Sequence, residues 1–577
     1  MAESALAARE RSTADLDAPV LAGRSDSAST RAAALEAGAA RPLSDEAVGF
    51  RGVVRGVQDH SWMAQNFIAC DRGQEMLLPP SLTDWLEEDH LVWTVLGSVE
   101  QMNLDGFYGA YRANGQGRAA YDPAMMVALF LYSYAVGLRS SRQIERACRG
   151  DVAFKVITAL AVPDHSTIAE FRRRHEAAIG ELFVSVLGLC GEAGLVQVGE
   201  IAVDGTRMRA NASRDRNRGY ESIVTEILAE AERVDREEDE RYGDARGDEL
   251  PEQLRTREGR RAALAAARER IERERAAAVE AGDEVIERIE LGLDRDRFPG
   301  SPDGREAWLR QGRRELETCR EREARPIPRG RGERLVEARR RLDQQLAYEH
   351  AANREYEHYR ATAVDRLGRK LINYNRPNPY RPPLVPEGKI NVSDPDSREM
   401  RTQGQPNIQG YNAQAVVTEQ QIVIAAEIST QSPDFGQLEP MVTAAVRELK
   451  QAGVSERPRT VLADAGYWHT KQIEQLRGDG FEVLVPPDST VREDARPGWK
   501  GGVYEAMRQA LRTPEGREQY LKRTTSIEPV FGQIKHNRGI TRLKRRGRAA
   551  ARSEWRLVTA THNLLKLHSH WIAPATG

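Results

Sequence analysis

Residues 200–208 read EIAVDGTRM and residues 460–467 read TVLADAGY, and these two stretches decide the fold. In each of them an apolar run typical of a buried strand leads directly into an aspartate, Asp204 in the first and Asp464 in the second. A glycine follows each aspartate within two residues, as expected where a chain leaves a sheet. Because ligands and metals gather outside strand ends in α/β sheets, we expect the two carboxylates to share a cation.

A third carboxylate, Glu528, lies in the segment 520–535, which reads YLKRTTSIEPVFGQIK. A helix over the second half of this segment would bury an apolar stripe: Ile527, Phe531 and Ile534. Ser526 as the cap of that helix puts Pro529 in the first turn, where proline is tolerated. The structural alternative is that Glu528 closes a capping box with Thr525.

The rest of the chain predicts the elements around these carboxylates. Runs at 411–418 and 422–430 indicate a β-hairpin, a helix follows at 437–451, and a further strand is predicted at 481–485. Apart from a long insertion after the first strand, this is the order of an RNase H-like fold. We therefore predict an α/β protein with an RNase H-like catalytic core, which is a mixed five-stranded sheet flanked by helices. An all-α N-terminal domain precedes it.

The predicted segments follow one another in this order: a disordered extension (1–70), a helical DNA-binding domain (75–195), the first core strand (198–219), a charged helical insertion (220–375), an extended linker (376–400) and the remainder of the core with basic C-terminal helices (401–570). The insertion is rich in Glu, Arg and Ala, which predicts long, salt-bridged, solvated helices. A coiled-coil scaffold is one alternative for the whole protein, but it explains only this segment.

Composition sets outer limits on the kind of protein. The 577 residues carry 85 basic and 87 acidic side chains, so the total charge says nothing about nucleic acid. The four cysteines lie far apart, which suits a reducing compartment and excludes a disulfide framework or zinc cluster. No apolar run approaches the ~20 residues that cross a bilayer. The sequence thus predicts a soluble cytoplasmic protein that has no membrane partner.

Two clusters of basic residues are candidates for contacts with DNA. Between Lys535 and Arg556 nine Lys or Arg face one acid, Glu554, and such a segment supplies phosphate contacts. The candidates from this segment are Lys535, Arg538, Arg542, Lys544, Arg545 and Arg546. A proline-bearing turn before three consecutive arginines suits the second helix of a helix-turn-helix, although an ordinary capped surface helix fits equally well. These three are Arg172, Arg173 and Arg174.

Taken together, these motifs resemble the DDE transposases of bacterial insertion sequences, in the branch that has a helical N-terminal transposase domain. The resemblance covers residues 75 to 570. It is carried by LLPPSL (77–82), YDP (121–123), PDHST (163–167), VDGT (203–206), SDPDSR (393–398), GYNAQ (410–414), ADAGY (463–467), EPVFGQIK (528–535) and NLLK (563–566).

The resemblance implies that Asp204, Asp464 and Glu528 are the DDE triad and that they hold the metal. It also implies a match to the Y-R-E-K signature, in which the basic members contact DNA phosphates near the cleaved end: Tyr520, Arg523, Glu528 and Lys535. In this chain four residues separate Arg523 from Glu528, where the best-known form of the signature has three. Because one residue rotates a helical side chain by about 100°, this departure bears on the roles of Tyr520 and Arg523.

The chemistry implied is metal-dependent. Two Mg²⁺ or Mn²⁺ ions would serve first strand cleavage at the terminal inverted repeats and then strand transfer. The partners implied are double-stranded DNA, as transposon ends and as target, and a second copy of the chain in the DNA complex. The resemblance also implies a bacterial protein that associates with the nucleoid when bound to DNA. Two alternatives remain at this point: an RNase H-like nuclease that cleaves without joining, and a catalytically inactive DNA-binding protein derived from a transposase.

Overall fold

The structure is a computed structural model. It describes residues 67–68, 70–73, 81–112, 119–242, parts of 256–273, 304–323, 325–362, 368–369, 383, 385–402, 405–488 and 501–573. Nearly all of the extension predicted over 1–70, most of the LLPPSL motif and the first part of the linker predicted over 376–400 lie outside the described residues.

The strands, in chain order, are β1 (Phe67–Ile68), β2 (Ala120–Tyr121), β3 (Glu200–Arg209), β4 (Asn217–Gly219), β5 (Lys389–Asn391), β6 (Arg398–Thr402), β7 (Gln405–Thr418), β8 (Val423–Ser429), β9 (Thr460–Ala463) and β10 (Glu482–Leu484). The α-helices are α1 (Leu91–Gln101), α2 (Asp105–Tyr108), α3 (Pro123–Ala135), α4 (Ser141–Gly150), α5 (Val152–Ile157), α6 (His165–Arg174), α7 (Glu176–Glu192), α8 (Tyr220–Tyr242), α9 (Gly304–Glu323), α10 (Arg331–Thr362), α11 (Leu438–Gln451), α12 (Thr470–Gly478), α13 (Gly502–Arg512), α14 (Pro514–Gly532) and α15 (Arg548–Ile572).

A mixed sheet of six strands lies at the centre, in the order β10–β9–β3–β7–β6, with β8 also paired to β7. The pairs β3–β9 and β9–β10 are parallel, whereas β3–β7, β7–β8 and β6–β7 are antiparallel. With 14 residues, β7 is long enough to pair with β6 along its first half and with β8 along its second. The mixed α/β class and the hairpin of β7 and β8 were predicted correctly from sequence.

The strand β3 covers the stretch 200–208 and one further residue. Its apolar half, Ile201 to Val203, is buried between β7 and β9, but the strand continues to Arg209 because its polar half stays paired with β7. The backbone of Arg209 then pairs with the segment around Arg542. Asp204 therefore lies in the middle of a strand, and its predicted position at the strand end is wrong. Asp464, by contrast, directly follows β9, as predicted.

The described part of the N-terminal region is helical. Asp122 caps α3 by accepting from the amide of Ala124 at 3.1 Å, and Pro123 occupies the first turn, so the helix starts sharply. Nearly every residue of α3 is buried, which is typical of a helix at the centre of a domain. Asp164 caps α6 in the same way through the amides of Ser166 and Thr167. Helix formation here thus follows from local capping.

The insertion contains ordered helices that bury apolar side chains. Ile223 of α8 and Leu335 and Leu342 of α10 form a small core of their own with strand β5. In α9, Trp308 and Leu316 are also buried. Ion pairs such as that of Arg313 with Glu349 at 2.9 Å join α9 to α10. The described insertion is therefore salt-bridged on its surface, as predicted, and also has an apolar core that the charge pattern did not indicate.

The SDPDSR motif links the insertion to the C-terminal helix. The buried carboxylate of Asp394 accepts from the hydroxyl of Tyr411 at 2.8 and 2.9 Å and from the amide of Gly547 at 3.1 Å. Asp396 pairs with Arg341 of α10 and accepts from the amide of Arg548 at 2.8 Å. Because these partners come from α10, β7 and α15, the motif holds three distant parts of the chain together.

Replacing Tyr411 by Phe tests this junction. The substitution leaves a buried carboxylate without its hydroxyl donor, and a hydrogen bond to a charged group contributes about 1.5–3 kcal/mol. We expect the free energy of unfolding, measured by urea denaturation, to fall by that amount. Tyr504→Phe, a tyrosine whose hydroxyl accepts from Thr470 at 3.3 Å away from this junction, is the control and should change stability by less than about 1 kcal/mol. Equal stability of Tyr411→Phe and wild-type protein would contradict the assignment.

The C-terminal helices begin earlier than the sequence indicated. Helix α14 runs without interruption through Ser526 and carries Pro529 in its interior, so the predicted helix start at Ser526 is wrong. Proline removes the amide that would bond to the carbonyl of Thr525. That carbonyl instead accepts from the side chain of Gln421 at 3.1 Å. A long-range contact thus makes an internal proline tolerable.

Helix α15 is buried along most of its length. Its Asn563 side chain accepts from the backbone amide of Val423 and donates to the carbonyl of the same residue, both at 2.8 Å. The amide thereby satisfies backbone groups of strand β8, which would otherwise be an open edge at this point. Among the helices of the described ranges, none combines the length and the apolar character required to span a membrane.

Candidate active site

Asp204 and Asp464 lie side by side on neighbouring parallel strands. Val203 of β3 is in register with Ala463 of β9, so the two aspartates are the next residues on each chain. Adjacent strands are about 4.8 Å apart. Asp464 turns its carboxylate back to accept from the amide of Gly466 at 2.8 Å, which caps a single turn of 3₁₀ helix at Ala465–Tyr467. The sheet register therefore brings together two carboxylates that lie 260 residues apart in sequence.

The two carboxylates have raised pKa values. Burial and the negative charge of Asp464 together raise the pKa of Asp204 from 3.8 to about 6, although the amide of Gly205 and the positive charge of Arg523 oppose the shift. Burial also raises the pKa of Asp464. Opposite Asp204 on β7 stands Ala415, and opposite Thr206 stands Ala413. Small side chains therefore lie opposite Asp204 and Thr206 in the neighbouring strand.

Arg523 lies between Glu528 and the aspartate Asp204. The guanidinium of Arg523 lies 3.1 Å from Oδ2 of Asp204 and 3.7 Å from Oε1 of Glu528. The Glu528 side chain is 56 % exposed, so it has space to change rotamer. Arg523 also lies with its Cζ 5.9 Å from the ring centroid of Tyr520. The Y-R-E part of the signature therefore faces the aspartates, although its spacing differs by one residue.

Lys535 approaches the site from the other end of the same chain segment. It lies in a π-helical turn, Gln533–Asn537, a local irregularity that is frequent at functional sites. Its Nζ donates to the hydroxyl of Thr206 and, at 2.9 Å, to the carbonyl of Arg207. Burial, together with the positive charge of Arg207, lowers the pKa of Lys535 to about 8. Asp204 is thus flanked by one arginine and one lysine.

A fourth carboxylate, Asp434, was not identified from the sequence. It lies between β8 and α11, and its negative charge raises the pKa of Asp464, in addition to burial. It accepts from Asn412 at 2.7 Å and from Gln414 at 2.8 Å, and it pairs with Arg207 at 3.3 Å. The surrounding sequence, SPDFG, has no strand or helix periodicity, so no local signal marked this residue.

The donor set of the site fits a divalent cation in part. Asp204 and Asp464 offer the hard carboxylate oxygens that Mg²⁺ and Mn²⁺ prefer. Among the described residues, however, no three His, Cys, Asp or Glu side chains converge as ligands of one metal ion. Arg523 lies between Asp204 and Glu528 and pairs with both of them.

The basic C-terminal segment divides into exposed and internal residues. Around the backbone bridge to Arg209, the side chains of Arg542, Lys544 and Arg546 are exposed, while Leu543 between them is buried. Arg545 pairs with Glu176 of α7. Exposure alternates because the segment is extended, and the even-numbered residues present three cations to solvent.

Arg538 differs from its basic neighbours. It donates to the carbonyls of Tyr134 at 2.8 Å and Val558 at 3.2 Å and to the hydroxyl of Thr561. Burial lowers its pKa to about 9. This arginine thus joins α3 to α15 in the interior, and its contact with DNA stays a prediction.

The three arginines of α6 also have partners within the protein. Arg172 lies 5.0 Å from the ring centroid of Phe130 and donates to the carbonyl of Arg139 at 3.1 Å. Arg173 pairs with Glu170, and Arg174 lies over the ring of Tyr111. Arg172 therefore packs within the protein, and its contact with DNA stays a prediction. Arg173 and Arg174 remain exposed on the helix surface.

Two family models match the chain. A transposase domain (DUF772) matches residues 80–174, which correspond to the N-terminal helices through α6. A transposase DDE domain matches residues 387–564, which include β5 to β10, Asp464, Glu528 and most of α15. No curated protein and no solved structure matches the chain. The two matches lie on either side of the insertion.

Proposed function

The chain belongs to the DDE transposases of insertion sequences, and from this membership we propose that it cuts the ends of its element and joins them to target DNA. Asp204, Asp464 and Glu528 are the catalytic and metal-binding residues in this proposal. Its main support is the register of β3 and β9, which places the two aspartates on adjacent strands, with Arg523 reaching from Asp204 to Glu528.

We also propose that the sheet is an RNase H-like core. The order β8–β7–β3–β9–β10, with two antiparallel pairs on one side of β3 and two parallel pairs on the other, supports this assignment. The helix α14, which packs on β3, then supplies the last acidic residue. The long insertion follows the first strand of the core, because β3 and the short β4 precede α8 and the next core strand is β7.

The bound Mg²⁺ or Mn²⁺ ions, two in number, would activate the attacking hydroxyl and stabilise the leaving 3′-oxygen. Asp204 and Asp464 would hold them, and Glu528 would join after it separates from Arg523. A DNA phosphate offers Arg523 an alternative bidentate anion, since guanidinium groups match phosphate geometry. Arg523 and Lys535 would thus orient the scissile phosphate over Asp204, and Tyr520 would support the arginine.

An assay with a labelled DNA end tests this function against the nuclease alternative. The purified protein is incubated with a terminal inverted repeat of its element, a supercoiled target and Mg²⁺. We expect two products, a nicked or excised end and a larger species in which the labelled 3′ end is joined to target DNA. Cleavage without any joined product would favour the nuclease. If the protein binds the DNA end but forms neither product, the result would favour an inactive DNA-binding protein.

The exposed cations Arg542, Lys544 and Arg546 are the proposed phosphate contacts of the C-terminal segment. Each phosphate contact contributes about −0.9 to the slope of log K against log salt concentration. The double variant Arg542→Ala with Lys544→Ala should therefore reduce the magnitude of the slope by about 2 and weaken binding at low salt. Filter binding or fluorescence anisotropy at several salt concentrations measures this.

The matched control for that variant is Arg552→Ala, which removes a basic residue of the same segment that already pairs with Glu427 at 2.7 Å. We expect its slope to equal that of the wild-type protein. If the salt dependence of DNA binding has the same slope for the double variant as for wild-type protein, the DNA does not contact Arg542 and Lys544. The same proposal assigns recognition of the inverted repeats to the N-terminal helices, where Arg173 and Arg174 are exposed. It also includes dimerisation of the protein in the DNA complex.

A further inference from the structure

Asp434 faces hydrogen-bond donors from two different strands. Its Oδ1 accepts from the side-chain amides of Asn412 at 2.7 Å and Gln414 at 2.8 Å, both on β7. Its Oδ2 pairs with Nη1 of Arg207 on β3 at 3.3 Å. A second nitrogen of Arg207 donates to the carbonyl of Ser432, which returns to the same loop. The carboxylate is nearly buried, with 11 % of its side chain exposed, so these contacts are made largely away from water.

The contacts of Asp434 continue to the turn that carries Asp464. The Oε1 of Gln414 accepts from the hydroxyl of Tyr467. Tyr467 is fully buried and ends the 3₁₀ turn that begins at the cap residue Asp464. Because the amide of Gln414 donates to Asp434 on one side and accepts from Tyr467 on the other, its orientation is fixed. The series of hydrogen bonds from Asp434 through Gln414 to Tyr467 thereby fixes the position of the turn after β9.

The same carboxylate packs against the backbone of both catalytic strands. A Cβ atom at Gly205, the residue after Asp204, would lie 2.5 Å from Oδ1 of Asp434. A Cβ atom at Gly466 would lie 3.9 Å from the Cβ of Asp434 and 3.0 Å from the Oδ1 of Asp464. Gly205 is therefore required by the close approach of Asp434 and of the side-chain amides of Asn412 and Gln414, whereas a side chain at Gly466 would be crowded by Asp464 and would make only an ordinary contact with Asp434.

We propose that Asp434 is a positioning residue of the active site, which fixes the separation of Asp204 and Asp464 through Arg207, Gln414 and Tyr467. It acts from the far face of the sheet: Gly205 and Arg207 point towards it, whereas Asp204 and Thr206 point to the side of Arg523 and Lys535. Asp434 is not itself a ligand or a reacting group. Outer carboxylates of this kind orient the groups that bind a metal.

The charge of Asp434 is required because all the groups that face it donate. An asparagine at this position has one acceptor oxygen and one NH₂ group. The NH₂ group would meet Arg207 or one of the two amides, each of which presents N–H. Gln414 would then be able to turn its amide, and the hydrogen bond to Tyr467 would no longer be fixed. Asp434→Asn is thus a nearly isosteric variant that disturbs only this network.

The experiment measures by electron paramagnetic resonance the binding of Mn²⁺ to the full-length protein in complex with a short terminal-repeat duplex, after subtraction of the Mn²⁺ that the duplex binds alone. It measures metal affinity and not activity. We expect Asp434→Asn to raise the Mn²⁺ dissociation constant about 10- to 100-fold, the usual effect of losing an outer partner of a metal site. Asp488→Asn is the matched control, because Asp488 pairs with Arg508 at 2.7 Å outside this network, and its Mn²⁺ affinity should equal that of wild-type protein. Equal Mn²⁺ affinity of Asp434→Asn and wild-type protein overturns the proposal.

A second variant, Tyr467→Phe, removes one hydroxyl and keeps the buried ring. We expect Tyr467→Phe also to bind Mn²⁺ more weakly than wild-type protein. The double variant with Asp434→Asn should lose no more Mn²⁺ affinity than the weaker-binding single variant, because both changes break the same series of hydrogen bonds. Additive losses, or a Tyr467→Phe protein that binds Mn²⁺ normally, contradict the proposal. If Asp434→Asn does not fold, Tyr467→Phe decides alone.

The inference rests on the proposed function, and the experiment separates the two. A wild-type protein that binds no Mn²⁺ overturns the metal-dependent function and this inference with it. A wild-type protein that binds Mn²⁺, with an Asp434→Asn variant that melts earlier but binds as tightly when folded, overturns only the positioning role. In that case Asp434 stabilises the fold alone.

Discussion

Asp204→Asn should abolish both cleavage and strand transfer, with a loss of at least about a thousandfold, while the protein remains folded and binds DNA. The substitution removes a negative charge from the place where a divalent cation is proposed to lie. Metal ions contribute several kcal/mol to such reactions, and each 1.4 kcal/mol is about tenfold in rate. The labelled-end assay described above measures both steps.

The same variant should be more stable than wild-type protein at alkaline pH. Burial raises the pKa of Asp204 from 3.8 to about 6, so the folded state binds this proton more tightly than the unfolded chain. The stabilisation of the folded state by this bound proton is fully present below pH 3.8 and is lost as the pH rises through about 6. At pH 8 the charged carboxylate therefore opposes folding, and the asparagine removes that cost.

Thermal melts at pH 5 and pH 8 test the predicted sign of this change in stability. We expect the melting temperature of Asp204→Asn to exceed that of wild-type protein at pH 8 and the difference to shrink at pH 5. Asp488→Asn, which lies outside the site, should show neither the loss of activity nor the gain in stability. An Asp204→Asn protein that still joins DNA ends at the wild-type rate would remove Asp204 from the catalytic residues.

The second large effect is on stability and concerns Arg556. Its guanidinium makes two bonds to Glu448 of α11, at 2.8 and 2.9 Å, and one to the carbonyl of Gly180 on α7 at 2.8 Å. Only 1 % and 2 % of the two charged side chains are exposed. Arg556→Met leaves the buried carboxylate without this partner, and breaking a buried pair costs about 3–5 kcal/mol.

The loss should lie near the lower end of that range, because Arg447 still pairs with Glu448 at 2.9 Å. Guanidinium-induced unfolding measures it. Arg552→Met is the control: its pair with Glu427 is 39 % and 22 % exposed, so its loss should not exceed about 1 kcal/mol. Comparable losses for the two variants would mean that burial does not decide the strength of these pairs.

Several features of the site could be predicted from the sequence because they are local. The apolar run before Asp464 indicates a strand, and the structure has β9 there. Asp164 and Asp122 cap the helices that their motifs indicated. Local capping and alternation act over a few residues, so their outcome can be predicted without knowledge of the rest of the chain.

Other features depend on partners that are distant in sequence. Asp204 lies within a strand because β7 continues to pair with its polar half, and Pro529 is tolerated because Gln421 serves the exposed carbonyl. Arg538 is internal because α3 and α15 both offer acceptors. Asp434 has no neighbours with strand or helix periodicity, and only the folded sheet brings donors to it. These outcomes depend on tertiary contacts, which no local pattern shows.

The most direct test of the central claim is the location of Mn²⁺ by anomalous diffraction in crystals of the protein bound to a transposon end. We expect Mn²⁺ in direct contact with the carboxylates of Asp204, Asp464 and Glu528, with Arg523 moved from between Asp204 and Glu528 to a DNA phosphate. Mn²⁺ bound elsewhere, with Arg523 still paired to both carboxylates while the end is in place, would contradict it.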